Sequence, residues 1–114
     1  MLNPSAPSIF LASSSQYRRQ LLNRFLDNYE AVDPEVDESN PGKLEPAELA
    51  RDLARKKAEA IAINARKALV IGADQLAVLE DRVLGKPGDH QRAVEQLLAA
   101  SGKSVTFLTA VCIL

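Results

Sequence analysis

The amino-acid sequence predicts an α/β fold in which a layered, mixed β-sheet is flanked by helices. Three observations support this class: short apolar runs alternate with amphipathic helical stretches, a long apolar run occupies 68–79, and a short turn leads from that run into another strand. Alternating strands and helices indicate layered packing, and a hairpin adds an antiparallel strand to the sheet. The 114 residues, 46% hydrophobic and 25% charged, suit one globular domain with its own core.

The first half of the chain begins with a strand that runs into a helix. Residues 8–12 are typical of a short buried strand, and the polar turn 13–15 leads into a helix that we expect to reach about Leu26. Proline and acidic residues predict a loop over 32–45. The Ala-rich segment from Pro46 to about Arg66 predicts an amphipathic helix lying on a core.

The second half adds two strands, a helix and a last strand. Residues 68–79 are apolar on both alternating faces, which predicts a central strand covered on both sides. Glu80-Asp81 is expected to turn this strand into a partner at 82–84. An amphipathic helix should follow from about Asp89 to Ala100, and a final strand from Ser104 to Leu114.

The charge balance and the cysteine count argue against several classes of protein. Fourteen basic and fifteen acidic residues leave a formal charge of −1, which does not favour a broad nucleic-acid or membrane surface. The single Cys112 cannot form an internal disulfide, and no apolar stretch approaches the roughly twenty residues of a membrane span. We therefore expect a cytoplasmic protein that binds neither nucleic acid nor membrane.

A first candidate site lies at the predicted start of the first helix. Ser13, Ser14 and Ser15 precede Arg18 and Arg19, and a helix N-terminus offers free backbone N–H groups to an anion such as phosphate. The alternative is a serine that caps the helix beside solvated arginines, which is the more common arrangement for this feature alone.

A second candidate is the pair Asp74 and Gln75 inside the predicted central strand. A carboxylate there is costly unless it is paired or binds a metal, which favours a functional site over a structural aspartate satisfied by an arginine or by backbone amides. Lys57 lies at the centre of the apolar helix face, where it either snorkels to solvent or points at Asp74 or a phosphate. If the charge of Lys57 is buried and the fold does not need it, the substitution Lys57→Met should leave the stability of the fold equal or higher.

Two weaker candidates lie in predicted loops. Lys86 is held between Gly85 and Pro87, which favours an extended backbone. Asp37 and Glu38 are solvated charges by default, but carboxylates also suit a hard cation that shares its ligands with substrate phosphates. The sequence contains neither a zinc pattern nor a Gly-rich Walker loop.

Five segments together resemble the Maf family of nucleotide pyrophosphatases in order and spacing: LASSSQYRRQLL, PEVDES, ARKKAEAIA, VIGADQLAVLEDRVLGKP and ASGKSVTFLT. The resemblance covers nearly the whole chain from Ile9. PEVDE, GADQ and Tyr17 look most like the subgroup that hydrolyses 7-methyl-GTP, whose members usually carry tryptophan in place of Tyr17, while Gln16 replaces a usual proline. The resemblance implies a Maf/ITPase-like sheet, with residues 1–114 forming the N-terminal part of a domain that family members complete in a second half.

By the same resemblance, the activity is hydrolysis of a nucleoside triphosphate between its α and β phosphates with magnesium or manganese. The resemblance implies that Asp74 is the proton acceptor and, with Glu38, a metal ligand, while Lys57 and Lys86 are catalytic. It assigns Ser13, Ser15 and Arg18 to the substrate phosphates, and Tyr17 and Gln75 to base selection.

Two further expectations concern partners and an alternative function. The apolar last strand predicts a homodimer formed through an uncovered strand. The alternative function is a catalytically silent module that binds nucleotides or takes part in cell division.

Overall fold

The computed structural model describes residues 8–40, 42–63, 68–85 and 88–114, and it confirms a mixed sheet flanked by helices. Apolar runs become strands and the two amphipathic stretches become the longer helices, as local periodicity predicts. The elements are, in chain order, β1 (Ser8–Ala12), α1 (Gln16–Leu22), β2 (Glu30–Val32), α2 (Pro46–Ala62), β3 (Ala68–Leu79), β4 (Arg82–Leu84), α3 (His90–Ala100) and β5 (Thr106–Ile113).

The sheet is organised around β3. Strand β1 runs parallel to β3 along 68–72 and is itself parallel to β2, whereas β4 and β5 are antiparallel to β3. Strand β5 pairs along 71–78, which overlaps the pairings of both β1 and β4. A strand residue has one neighbour on each side, so β1 and β4 must follow one another along the opposite edge of β3. Among the described strands, residues 73–76 of β3 have no partner on that edge.

Helix α2 packs across one face of this sheet. Its buried residues follow the helical period and include Leu49, Leu53 and Ala58. Gly72 of β3 permits the close approach, since a Cβ there would lie 2.7 Å from the backbone N of Ala58 and 2.9 Å from the Ala58 Cβ. The core therefore lies between α2, β1 and β3.

Helix α1 is shorter than the sequence predicts, because it ends at Leu22 instead of about Leu26. Residues 23–25 form a turn, and the Tyr29 hydroxyl lies 3.0 Å from the Arg19 carbonyl oxygen and 2.7 Å from Asn23 Oδ1. Helix α1 therefore ends where Tyr29, a residue that follows the helix, contacts Arg19 and Asn23. Local periodicity does not reveal such a contact. Strand β2 was also not predicted, and α2 ends at Ala62 instead of about Arg66.

The prediction that β3 is covered on both sides is confirmed for one face and only in part for the other. Helix α2 covers the face that includes Val70 and Asp74. On the other face Leu69 and Gln75 are exposed in the described structure, whereas Ala73 and Leu79 are buried. Strand side chains alternate between faces, and here only one face is packed under a helix.

The predicted hairpin between β3 and β4 is confirmed. Glu80 and Asp81 adopt positive φ values of 50° and 64°. Two successive positive φ values are typical of the tight turn whose twist matches that of paired strands, although glycine or asparagine is more usual there. The described helices include none that is both long and apolar enough to cross a lipid bilayer.

Candidate active site

A cavity of about 720 Å³ opens where β1 ends and before β4 begins along the edge of β3. Ligands bind frequently at such breaks in α/β sheets, because diverging neighbours leave a crevice beyond the strand ends. The cavity brings together residues that are distant in sequence. Of the predicted site residues, it is lined by Ser13, Ser15, Arg18, Glu38, Lys57, Asp74 and Gln75.

An ion-pair cluster that joins α2, β3 and the loop after β2 lines this cavity. Lys57 Nζ lies 3.0 Å from Asp74 Oδ1 and 2.7 Å from Glu38 Oε1. Asp74 and Lys57 are only 5% and 7% exposed, whereas the side chain of Glu38 is 56% exposed. Of the two alternatives for Lys57, the structure shows the one in which the ammonium points at Asp74.

One oxygen of Asp74 has no hydrogen-bond partner among the described residues. Asp74 Oδ2 is buried and accepts no hydrogen bond from the residues that the structure describes. A buried acceptor without a donor is costly and often marks a site that acts on a ligand. The partner of Oδ1 is a lysine, not the arginine or backbone amides of the structural alternative.

The serine turn combines both interpretations of the first candidate. Ser15 is the N-cap of α1, and its hydroxyl accepts a hydrogen bond from the Arg18 backbone N–H at 3.3 Å. Ser13 is buried, and its Oγ accepts from the Ser15 N–H at 3.0 Å and from Arg18 Nη1 at 3.5 Å. The turn therefore directs the Arg18 side chain toward Ser13 at the cavity wall.

Glu38 reaches Lys57 from an irregular loop that side chains organise locally. Asp37 Oδ1 accepts a hydrogen bond from the Ser39 N–H at 2.9 Å, and Asp37 Oδ2 accepts one from the Ser39 hydroxyl at 3.0 Å. The backbone hydrogen bond from Ser39 is the main reason that the pKa of the Asp37 carboxyl is lowered from its ordinary value. A polar loop is thus held in a defined shape next to Glu38.

Two of the predicted site residues that the structure describes, Tyr17 and Gln75, belong neither to the ion-pair cluster nor to the hydrogen-bonded serine turn. Tyr17 is 67% exposed and does not line the cavity. Gln75 lines it, but its amide donates to Thr109 Oγ1 at 3.1 Å, on the sheet face opposite Asp74. Lys86 lies outside the described residues.

The structure also places residues at the site that sequence reasoning missed. Asp33 follows β2 as Ser13 follows β1, and both line the cavity. Asp33 Oδ1 accepts a hydrogen bond from the backbone N–H of Glu35, whose φ is 51°. Sequence reasoning also missed the structural role of Gly72, which lets α2 approach β3. A glycine inside a strand often indicates such a close backbone approach, so this signal was available.

The residues present fit a divalent cation that shares its ligands with substrate. In the described part of the chain, no group of three or more His, Cys, Asp or Glu residues could hold a metal alone. Magnesium, however, is commonly bound through one or two carboxylates together with phosphates and water. Glu38 and Asp74 supply two such carboxylates, and Asp74 Oδ2 accepts no hydrogen bond from the residues described.

The sequence profile of Maf-like proteins matches residues 8–114. The chain belongs to the Maf-like protein family. Its relatives include a 7-methyl-GTP pyrophosphatase of Pseudomonas syringae pv. syringae, 52% identical over 103 residues that make up 90% of this chain and 54% of that protein. The 7-methyl-GTP pyrophosphatases of Pseudomonas aeruginosa and Cupriavidus metallidurans are 50% and 45% identical, over 95% and 100% of this chain and 56% and 57% of their own lengths. This Maf-like chain thus spans about half the length of the curated relatives it matches.

Proposed function

We propose that this Maf-like chain supplies the phosphate and metal side of a pyrophosphatase that cleaves nucleoside triphosphates to a monophosphate and pyrophosphate. The observation that carries the proposal is the buried Asp74, whose Oδ2 has no hydrogen-bond partner among the described residues and which lines the cavity between the end of β1 and the start of β4. Family membership and the names of three relatives support this reaction class.

In the proposed reaction, Asp74 accepts the proton of the attacking water. The water oxygen forms a bond to the α phosphorus, the bond from that phosphorus to the bridging oxygen breaks, and pyrophosphate leaves with the bond electrons. Lys57 and Arg18 present positive charge to the phosphates, and the resemblance assigns the same role to Lys86. A charge that is already in position, like that of Arg18 beside Ser13, stabilises the developing negative charge more strongly than water does, because it need not reorient.

The proposed cofactor is magnesium or manganese, held by Glu38 and Asp74. When bound, the cation neutralises phosphate charge. The carboxylate of Glu38 suits this role because it is half-exposed at the cavity. That of Asp74 is buried, and its Oδ2 accepts no hydrogen bond from the described residues.

For the substrate, we propose 7-methyl-GTP, the nucleotide in the names of the relatives. Tyr17 and Gln75 are proposed to act in base selection. An exposed aromatic ring could stack on the cationic methylated base.

A product assay tests the reaction class. A protein carrying this chain is incubated with 7-methyl-GTP, GTP, UTP and dTTP in magnesium or manganese, and both products are quantified. We expect equimolar monophosphate and pyrophosphate, with 7-methyl-GTP the best substrate. Orthophosphate without pyrophosphate would exclude the class, and calorimetric binding without turnover would support a silent nucleotide-binding module.

We also propose that the chain forms a homodimer through β5. Phe107, Val111 and Ile113 of this strand are exposed on one face, and among the described strands β5 pairs only with β3. Pairing with a second copy would bury apolar surface and satisfy free backbone groups.

A further inference from the structure

We propose that Lys57 is an internal cation that occupies the position between Glu38 and Asp74 and that a divalent metal must displace it. Glu38 and Asp74 are called the carboxylate pair below. The inference rests on the proposed function in one respect, the assignment of this pair as metal ligands.

The geometry places one ammonium between two acids of different accessibility. Lys57 Nζ contacts an oxygen of each member of the carboxylate pair, at 2.7 Å and 3.0 Å. Without a cation between them, two carboxylates directed at the same point would repel one another. The Lys57 ammonium therefore holds the two carboxylates of the pair close together.

The same contacts make Lys57 a competitor of a metal ion. A doubly charged cation bound by both carboxylates would lie close to the position of Nζ, and the two positive charges would repel each other. Asp74 Oδ2 accepts no hydrogen bond from the part of the chain that the structure describes, so it can contact an arriving ion while Lys57 still holds Oδ1. Glu38 is half-exposed and can change partner without disturbing the core.

Displacement would also give Lys57 a second partner. The lysine stem is flexible, and Arg18 and the serine turn line the same cavity. An ammonium released from the carboxylate pair can therefore turn toward phosphates held there. One lysine would thus order the empty site and stabilise phosphate charge in the loaded one.

Manganese binding to the chain without nucleotide tests the competition. The free Mn²⁺ signal in electron paramagnetic resonance gives Kd for wild type, Lys57→Met and the control Lys56→Met, whose lysine is exposed and paired with Asp52. We expect Lys57→Met to bind Mn²⁺ at least about tenfold more tightly, because a competing charge is gone, and Lys56→Met to match wild type. Equal or weaker binding by folded Lys57→Met would overturn the proposal.

A second measurement needs no substitution and remains valid if Lys57→Met does not fold. Wild-type protein is treated briefly with an amine-acetylating reagent with and without Mn²⁺, and acetylation of each lysine is followed by mass spectrometry. Lys57 should become more reactive with Mn²⁺, while Lys56 should not change. Protection or unchanged reactivity of Lys57 would contradict displacement.

Failure of this inference and failure of the proposed function give different results. Pyrophosphate release without metal-dependent change at Lys57 would leave the function intact and remove the competition. Tighter Mn²⁺ binding by Lys57→Met without pyrophosphate release from wild type would support the competition and contradict the proposed function.

Discussion

Lys57 on α2 and Asp74 on the central strand form a buried ion pair, with 3.0 Å between Nζ and Oδ1. A second carboxylate, that of Glu38, also contacts the ammonium, with 2.7 Å between Oε1 and Nζ. The cluster joins α2, β3 and the loop of Glu38 around one cavity. Substitutions of its members should therefore show which of them are needed for turnover and which for the stability of the fold.

Asp74→Asn should lower turnover at least about a hundredfold, because the amide cannot accept the proton. This factor is the lower end of the usual effect of losing a general acid–base group. The similar shape of asparagine should preserve the fold. Pyrophosphate release and circular dichroism measure the two effects, with Asp27→Asn as an exposed control. Near-wild-type turnover would remove Asp74 from the mechanism.

Lys57→Met should abolish activity and, without divalent metal, lower the free energy of unfolding by about 3 kcal/mol, because Asp74 is left as an unpaired buried charge. Considering the lysine alone predicted equal or higher stability, and the ion pair reverses that expectation. Urea unfolding of Lys57→Met, Lys56→Met and Lys57→Met/Asp74→Asn checks the sign. The double variant should recover part of the loss; if the single variant is as stable as wild type, the pair contributes nothing.

Gly72→Ala should destabilise the fold by about 1–3 kcal/mol, the usual effect of overpacking. The added methyl group would meet the Ala54 carbonyl oxygen and the Ala58 backbone, so α2 must move and carry Lys57 with it. Gly42→Ala is the control, since no described residue other than its chain neighbours lies within 4 Å of the position that its added methyl group would take. Thermal unfolding should separate the two variants, and equal melting temperatures would show that α2 accommodates the methyl group freely.

Tyr17→Ala should reduce kcat/KM for 7-methyl-GTP more than for GTP, because a cation–π contact of roughly 1 kcal/mol or more is lost only with the methylated base. Phe25→Ala removes another exposed aromatic ring and serves as the control. Equal losses for both nucleotides would show that Tyr17 positions the serine turn and does not read the base.

Self-association through β5 should be visible by light scattering at micromolar concentration. Val111→Lys places a charge on the exposed apolar face and should shift the chain toward monomer, whereas Gln91→Lys on α3 should not. A wild-type chain that stays monomeric would contradict the proposed homodimer.

The sequence by itself determined the elements whose signals are local. Continuous apolar runs defined β1 and β3, and the helical period placed Lys57 at the centre of the buried face of α2. The acid within an apolar strand likewise identified Asp74 as a candidate without any knowledge of its neighbours. These predictions succeeded because each depends on residues within one element.

Only the tertiary structure decided which of these residues meet. Lys57 and Asp74 are 17 positions apart, and Glu38 approaches from a loop whose side-chain hydrogen bonds no periodicity reveals. Sequence reasoning also could not predict the shortened α1, the three-residue β2 or the partly exposed face of β3. Each of them depends on contacts between distant segments. The break between β1 and β4 that opens the cavity exists only once both strands pair with β3, because strand pairing is a property of the assembled sheet.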